Sequence, residues 1–401
     1  MAKKLLMLFT LLSMCCASGC WDLREINASV IATGVGIDLA KNNQIAFSTQ
    51  LVQSTTSSES GSKKNEPVTI SAVDSSITMG ARRLMLSLSL IPEWAHGNTI
   101  LLGEKLMRND LYLCIDFMTR NRNIRPDSDL LVCVGSTPEE VLSSQLPQGS
   151  NLGAGLMDML RQNERVLGLY VPTTIEEFTY RLSTPGIEPV VPQISLIEES
   201  TSGQNSGAKG MMKGDSKGKS KMPVLKGMAV FKRNKMVGSL DEYESRGYRW
   251  LNSSSKQGGY FMIKSPFNPN EIVGLEVISF SSKVKPQIDG DNIKMNIEVK
   301  ADLGFYEQAS TGELLTDPVI KRLEQAANLE IKRQIISCID QSQTLESDIL
   351  GWGKTISINQ PEEWKRLHPD WSTIYPSVDS KVQVQSQISR SFLSSKSFQF
   401  Q

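Results

Sequence analysis

The sequence predicts an α+β protein: mixed α/β units with mainly antiparallel sheets and one long C-terminal helix packed on a sheet. Three observations predict it. Strand-like and helix-like segments alternate over Val30–Glu199. Pairs of alternating strands meet at short polar turns, first at Lys41–Asn43 and later at Asp289–Asp291. One stretch, from Asp317 toward Leu345, keeps apolar residues at helical spacing longer than any other.

In chain order, VIATGVGIDL and QIAFSTQLV flank Lys41–Asn43 and read as a β-hairpin. A Ser/Thr/Lys-rich loop covers Ser54–Asn65, and VTIS leads into a helix expected from Val73 to Leu88, with Val73, Ile77, Leu84 and Leu88 on one side. NTILLG and DLLVCVG are continuous apolar runs and read as buried strands. Short helices are expected near 137–146, 151–165 and 174–182.

Residues 200–222 are rich in Gly, Ser and Lys without an apolar pattern, so they read as a flexible loop or linker and the clearest boundary. Beyond them, Leu225–Leu240 reads as strand, Arg-Asn-Lys turn, strand. A helix near Asp241–Leu251 and a strand near Tyr260–Lys264 complete an expected small middle domain, 223–270. Ile272–Val284 and Asn292–Ala301 then alternate as paired strands. In the long helix, Asp317 can cap and Pro318 suits the first position. Val319, Leu323, Ala327, Ile331, Ile335 and Ile339 share one face, which fits packing across a sheet. KVQVQSQI alternates as a final strand. The expected division is 1–19, 20–199, 200–222, 223–270 and 271–401.

Bulk composition narrows the function. At 401 residues the chain exceeds one ordinary core. Lys+Arg and Asp+Glu both number 43, so no net field favours nucleic acid or an anionic surface. Two histidines, His96 and His368, are a thin supply for acid–base chemistry or metal ligation.

Half of the six cysteines lie in SMCCASGCWDLREIN, residues 13–27. Lys3 and Lys4 precede the apolar run Leu5–Met14, and Ala17–Gly19 are small, which is the build of a secretory signal peptide too short to span a bilayer. A cysteine directly after the small residues adds a lipoprotein signal. Cleavage before Cys20 would leave it as the first residue, carrying an S-diacylglyceryl and an N-acyl group. Acyl chains contribute about 0.8 kcal/mol per buried methylene, enough for stable anchoring with two chains or more. Ala17 stands where a Leu is usual in this signal. A Cys-x3-Cys zinc half-site is the weaker alternative, because no CxxC or HxxxH lies downstream; an uncleaved signal anchor or a plain secreted protein also remains. Cys114, Cys133 and Cys338 sit in apolar settings and read as buried structural thiols.

No motif for chemistry stands out. GVGIDL lacks the third Gly of a dinucleotide loop, and Gly218–Lys219–Ser220 lacks the first Gly and the preceding strand of a phosphate loop. GxSxG and HExxH are absent, and Glu139–Glu140 and Glu176–Glu177 fit first turns of helices. The residues point to no catalytic site, cofactor or metal.

GCWDLREIN, residues 19–27, closely resembles the start of the Ger(x)C family, the lipoprotein C subunits of spore germinant receptors. EPVVPQI (Glu188–Ile194), the Leu225–Leu240 hairpin, SDILGWG (Ser347–Gly353), Trp364 and the Trp371–Pro376 segment resemble the family in the same order. The C-terminus departs from it, running on as FLSSKSFQFQ. The resemblance implies three mixed α/β domains, a lipidated Cys20, no enzymatic activity and no cofactor. It also implies two integral-membrane partner subunits, no nucleic acid, and a place on the outer face of the cell membrane, which in the spore is the inner membrane. Nutrient germinants would be sensed by the whole complex. Trp21, Asp22, Arg24, Glu25 and Trp352 are candidate partner or membrane contacts. Trp21 and Ile26 equally suit packing onto the first domain, and Gly351–Trp352–Gly353 reads first as a structural turn ending the helix. A solute-binding lipoprotein of a transporter is the competing function; it predicts two similar lobes about a cleft, against the dissimilar halves here.

Overall fold

In the computed structural model the described residues are Lys3, 29–52, 67–94, 97–109, 111–146, 151–198, 221–252, 256–308 and 316–390. The chain enters through the expected hairpin. β1 (Ser29–Leu39) and β2 (Ile45–Val52) pair antiparallel from Leu39↔Ile45 to Ile31↔Val52. Asn42 and Asn43 take φ of 57° and 55° in the turn, a left-handed region that asparagine tolerates.

β3 (Val68–Asp74) adds to β2, and α1 (Ile77–Arg83) comes next. This corrects the expected Val73–Leu88 helix. VTISAVD alternates β-branched residues and pairs with β2 as far as Asp74↔Ile45, so Val73 stays in the strand, 44% exposed. The helix starts only where the Ser76 hydroxyl accepts the Met79 N–H at 3.2 Å.

β4 (Ile91–Glu93) lies parallel beside β1, and β5 (Thr99–Gly103), β6 (Asp129–Cys133) and β7 (Val190–Glu198) continue the parallel centre. Every residue of β5 and β6 is buried, as continuous apolar runs in parallel strands require. The connections carry α2 (Glu104–Asn109), α3 (Tyr112–Arg120), α4 (Pro138–Leu142), α5 (Leu152–Gln162) and α6 (Ile175–Ser183).

β8 (Lys221–Lys232) and β9 (Lys235–Leu240) form the expected hairpin, and β8 pairs antiparallel with β7. The first sheet therefore runs β3-β2-β1-β5-β6-β7-β8-β9, with β4 beside β1. After α7 (Glu242–Asn252), β10 (Tyr260–Lys264) pairs instead with β11 (Ile272–Asp289), in a second sheet ordered β10-β11-β12-β13. The 223–270 segment, expected as a small middle domain, is thus divided between two sheets. The edge of β7 offers backbone donors and acceptors, and the buried Met228–Phe231 run of β8 fills that place. Residues 199–220 connect two neighbouring strands of one sheet.

The second sheet is completed by β12 (Asn292–Gln308) and β13 (Asp379–Arg390), which are parallel to each other. α8 (Asp317–Thr344) covers one face, burying Leu323, Ala327, Ile331, Ile335 and Ile339 as the spacing predicts. α7 crosses α8 at Gly247, where a β-carbon would collide with the Gln334 carbonyl oxygen. There Trp250 donates its indole N–H to Gln334 Oε1 at 2.9 Å, satisfying a polar group inside the core. The buried cluster around α8 continues through Tyr248 and Leu240 to Leu101 and Ile194, so both sheets share one apolar interior.

Candidate functional site

The SDILGWG turn lies where α8 meets the first sheet. Gln341, near the end of α8, donates from Nε2 to the Ser239 carbonyl at 3.0 Å. Six residues later, past the end of α8, Ser347 donates its hydroxyl to the Phe231 carbonyl at 2.5 Å, and Lys232 pairs with Glu346 at 2.7 Å. The partners of all three bonds belong to the β8–β9 edge.

Asp348 organises the turn itself. One carboxylate oxygen accepts the Trp352 N–H at 2.9 Å. The other accepts the Gly353 N–H at 2.8 Å and the Trp371 indole N–H at 2.9 Å. The first two donors open α9 (Trp352–Asn359), so the carboxylate occupies the positive end of that helix. Burial pushes the Asp348 carboxyl up to about 6, against the pull of these N–H groups. At neutral pH it is an anion with three donors.

The turn is clamped to the segment before β7. The Glu188 N–H donates to the Asp348 carbonyl and the Lys354 N–H to the Gly186 carbonyl, each at 2.9 Å. Glu188 accepts the Arg233 N–H at 2.9 Å; burial, with the Asp348 charge adding to it, pushes its carboxyl up to about 7. The buried Arg181 of α6 reaches the Ile349 carbonyl at 3.3 Å and Glu177 at 3.1 Å. α6, β7, β8 and α8 therefore all end on one short turn.

Aromatic rings close its far side. Trp352 is fully buried, with its ring 5.6 Å from that of Tyr375. The Tyr375 and Ser342 hydroxyls share a hydrogen bond of 2.5 Å. Trp364 of α10 (Pro361–Leu367) stacks edgewise on Trp371, which begins α11 (Trp371–Ile374). As a candidate contact, Trp352 is corrected by this burial: its side chain offers no surface to a partner or a membrane. Its apolar mass is worth more inside the joint than exposed. Cys20, Trp21, Asp22, Arg24 and Glu25 lie outside the described residues.

Chemically the joint can hold two sheets in one relation, and the Asp348 carboxylate oxygens are committed to that. Cys114, Cys133 and Cys338 are all buried, and burial raises the Cys133 and Cys338 thiols. Among the described residues no three His, Cys, Asp or Glu side chains come together as metal ligands, and no helix is long and apolar enough to cross a membrane. A shallow cleft of about 350 Å³ on the second sheet is lined by Ser279, Phe280, Lys300, Asp302 and Gln387, with no histidine or cysteine among its lining residues.

Sequence reasoning singled out SDILGWG and EPVVPQI, which begins at Glu188, but not that the two meet, nor the role of Gly186 and Ile187 just before it. The signal available was local: Gly186 comes after Pro185 and Glu188 precedes Pro189, an unusual turn before a buried strand.

Known proteins match the chain in two successive regions. Residues 22–196 match the family model described as "Spore germination protein N-terminal domain", and residues 226–392 match "Spore germination B3/ GerAC like, C-terminal". The chain is similar to spore germination protein KC of Bacillus subtilis (strain 168), 23% identical over 406 residues, covering 98% of this chain and 96% of the relative. It is likewise similar to spore germination protein B3 of the same organism, 25% identical over 393 residues and 96% of each chain. Its fold is similar to the crystal structure of the GerBC protein, with a TM-score of 0.57, 18% identity, and coverage of 89% of this chain and 97% of that one. The gap between the two matched regions runs from the end of β7 into the start of β8, so the second region supplies most of the strands that finish the sheet begun by the first. Matched in order through both halves, and sharing the fold of a solved relative, the chain belongs to the Ger(x)C family.

Proposed function

We propose that the chain is a non-catalytic, lipid-anchored subunit of a nutrient germinant receptor, needed for spores to germinate in response to small nutrients. The observation that carries this reading is the ordered match of both halves to spore germination models. Cys20, acylated after cleavage, holds the chain on the outer face of the cell membrane, which in the spore is the inner membrane. Two integral-membrane receptor subunits are its partners, and Trp21, Asp22, Arg24 and Glu25 are the residues nearest the anchor to meet them. The Asp348 joint supports a role in assembly over turnover, since its polar atoms serve to fix two sheets together.

The test is genetic and biochemical. Spores lacking the protein, in a strain without a redundant receptor, should lose the response to at least one nutrient; a normal response to all of them sinks the proposal. The Cys20→Ala chain should take up no fatty-acid label and leave the washed membrane fraction. Co-purification from detergent-solubilised spore membranes should bring down two integral-membrane proteins.

A further inference from the structure

The end of the first sheet where β1 begins carries an apolar rim. Ser29 pairs with Ile91, Ile31 with Val52, and Leu51 with Val68, so the starts of β1, β3 and β4 and the end of β2 lie together. Leu86, in the turn after α1, is 83% exposed; Val68 is 57% and Ile91 46% exposed. The turn that holds Leu86 lies against β3. Beneath the rim, Leu88 and Leu90 pack on Val30, Ala32 and Leu51.

Residues 84–92, LMLSLSLIP, carry no charge, and Arg82 and Arg83 directly precede them. A nearly fully exposed leucine at the tip of an uncharged turn exposes apolar area that water disfavours. Of the two basic residues behind this tip, Arg83 is paired with Asp74 at 2.5 Å, which leaves the exposed Arg82 to suit an anionic headgroup. The segments 53–66 and 95–96 also attach at this end and lie outside the described residues; the first balances Glu59 and Glu66 with Lys63 and Lys64.

The tether decides the occupant. Eight residues separate Cys20 from Ser29. Fully extended, that stretch spans at most about 30 Å. Acyl chains on Cys20 therefore keep the start of β1, and the rim around it, within that distance of the bilayer. We propose that this end of the first sheet, with Leu86, Ile91 and Val68 at its rim, rests in the outer surface of the lipid bilayer. The proposal rests on the anchored reading of Cys20. It gives the soluble body a fixed face toward the membrane, with the Lys41–Asn43 turn at the opposite end of β1.

The mature acylated chain, reconstituted into vesicles of phosphatidylcholine and phosphatidylglycerol, provides the test. Leu86→Cys is labelled with a fluorophore while the three native thiols stay buried, and lipids carrying acyl-chain quenchers are added. Quenching at position 86 should exceed that of a Lys41→Cys label by about threefold or more. A label on Val68→Cys should lose most of its quenching when Leu86→Gln and Ile91→Gln are combined. Equal quenching at 86 and 41 on vesicle-bound, acylated protein overturns the membrane seat and leaves the anchor standing. Absence of acyl groups from the N-terminal peptide overturns both. Concentration-dependent dimers in detergent that shield position 86 assign the rim to a second copy instead.

Discussion

Gly186 and Gly353 meet backbone to backbone: a β-carbon on Gly353 would lie 2.7 Å from the Gly186 α-carbon and 2.6 Å from Trp364 and Trp371. The Lys354–Gly186 hydrogen bond depends on that approach. Gly353→Ala must push apart one glycine and two packed indole rings, with no flexible side chain to yield. It should cost about 3 kcal/mol, at the upper end of overpacking penalties. Urea unfolding tracked by tryptophan fluorescence checks this, and an unchanged midpoint would show that the turn shifts freely.

Asp348→Asn keeps the shape and removes the charge. One of its two acceptor atoms becomes a donor facing the N–H groups it formerly received, while three donors remain buried. A loss of about 3 kcal/mol is expected, in the range for breaking buried charged hydrogen bonds. Near-ultraviolet circular dichroism should report the released Trp371 indole. A native spectrum with an unchanged midpoint counts against the clamp.

Trp352 separates two effects. Its indole N–H is buried with no hydrogen-bond partner among the described residues. Trp352→Phe removes that donor while keeping a ring against Tyr375, so it should cost far less than Trp352→Ala. The alanine variant should lose about 3–5 kcal/mol through the cavity. Thermal unfolding of the pair measures the difference, and equal losses would mean the ring's packing is not what matters.

The pH dependence has a definite sign. Burial raises the carboxyls of Glu188 to about 7, and of Asp348 and Asp129 to about 6. In each case the folded state holds its proton more tightly than the unfolded one. Stability from these groups is fully present below their unfolded pKa values and falls as pH rises through the folded ones. Between pH 4.5 and 7 the folded protein should therefore lose stability as pH rises. Glu188→Gln should flatten that slope between its unfolded value near 4.5 and about 7. Unfolding midpoints across the range test this, and an unchanged slope would clear Glu188 of the effect.

Much of the fold was legible in local pattern. The β1–β2 and β8–β9 hairpins and the buried face of α8 arise from alternation, turn residues and helical spacing. What the pattern did not carry was partnership. Nothing local in LKGMAVF says that it pairs with EPVVPQI across residues 199–220, rather than building a sheet of its own. Val73 failed for a related reason, since its helical spacing lost to strand pairing with Ala46. The joint was half legible: SDILGWG stood out as a turn, but the third donor to Asp348, Trp371, and the partner of Gly353, Gly186, lie far along the chain.

The connection 199–220 has a practical consequence. It joins strands already held side by side by β7–β8 pairing, and loop-closure entropy grows only by about 0.6 kcal/mol per doubling of length. A protease cut there should leave two polypeptides migrating as one folded particle, separable only in denaturant. The same site should accept an epitope or a fluorescent protein, making it a place to carry a reporter without disturbing the folded particle.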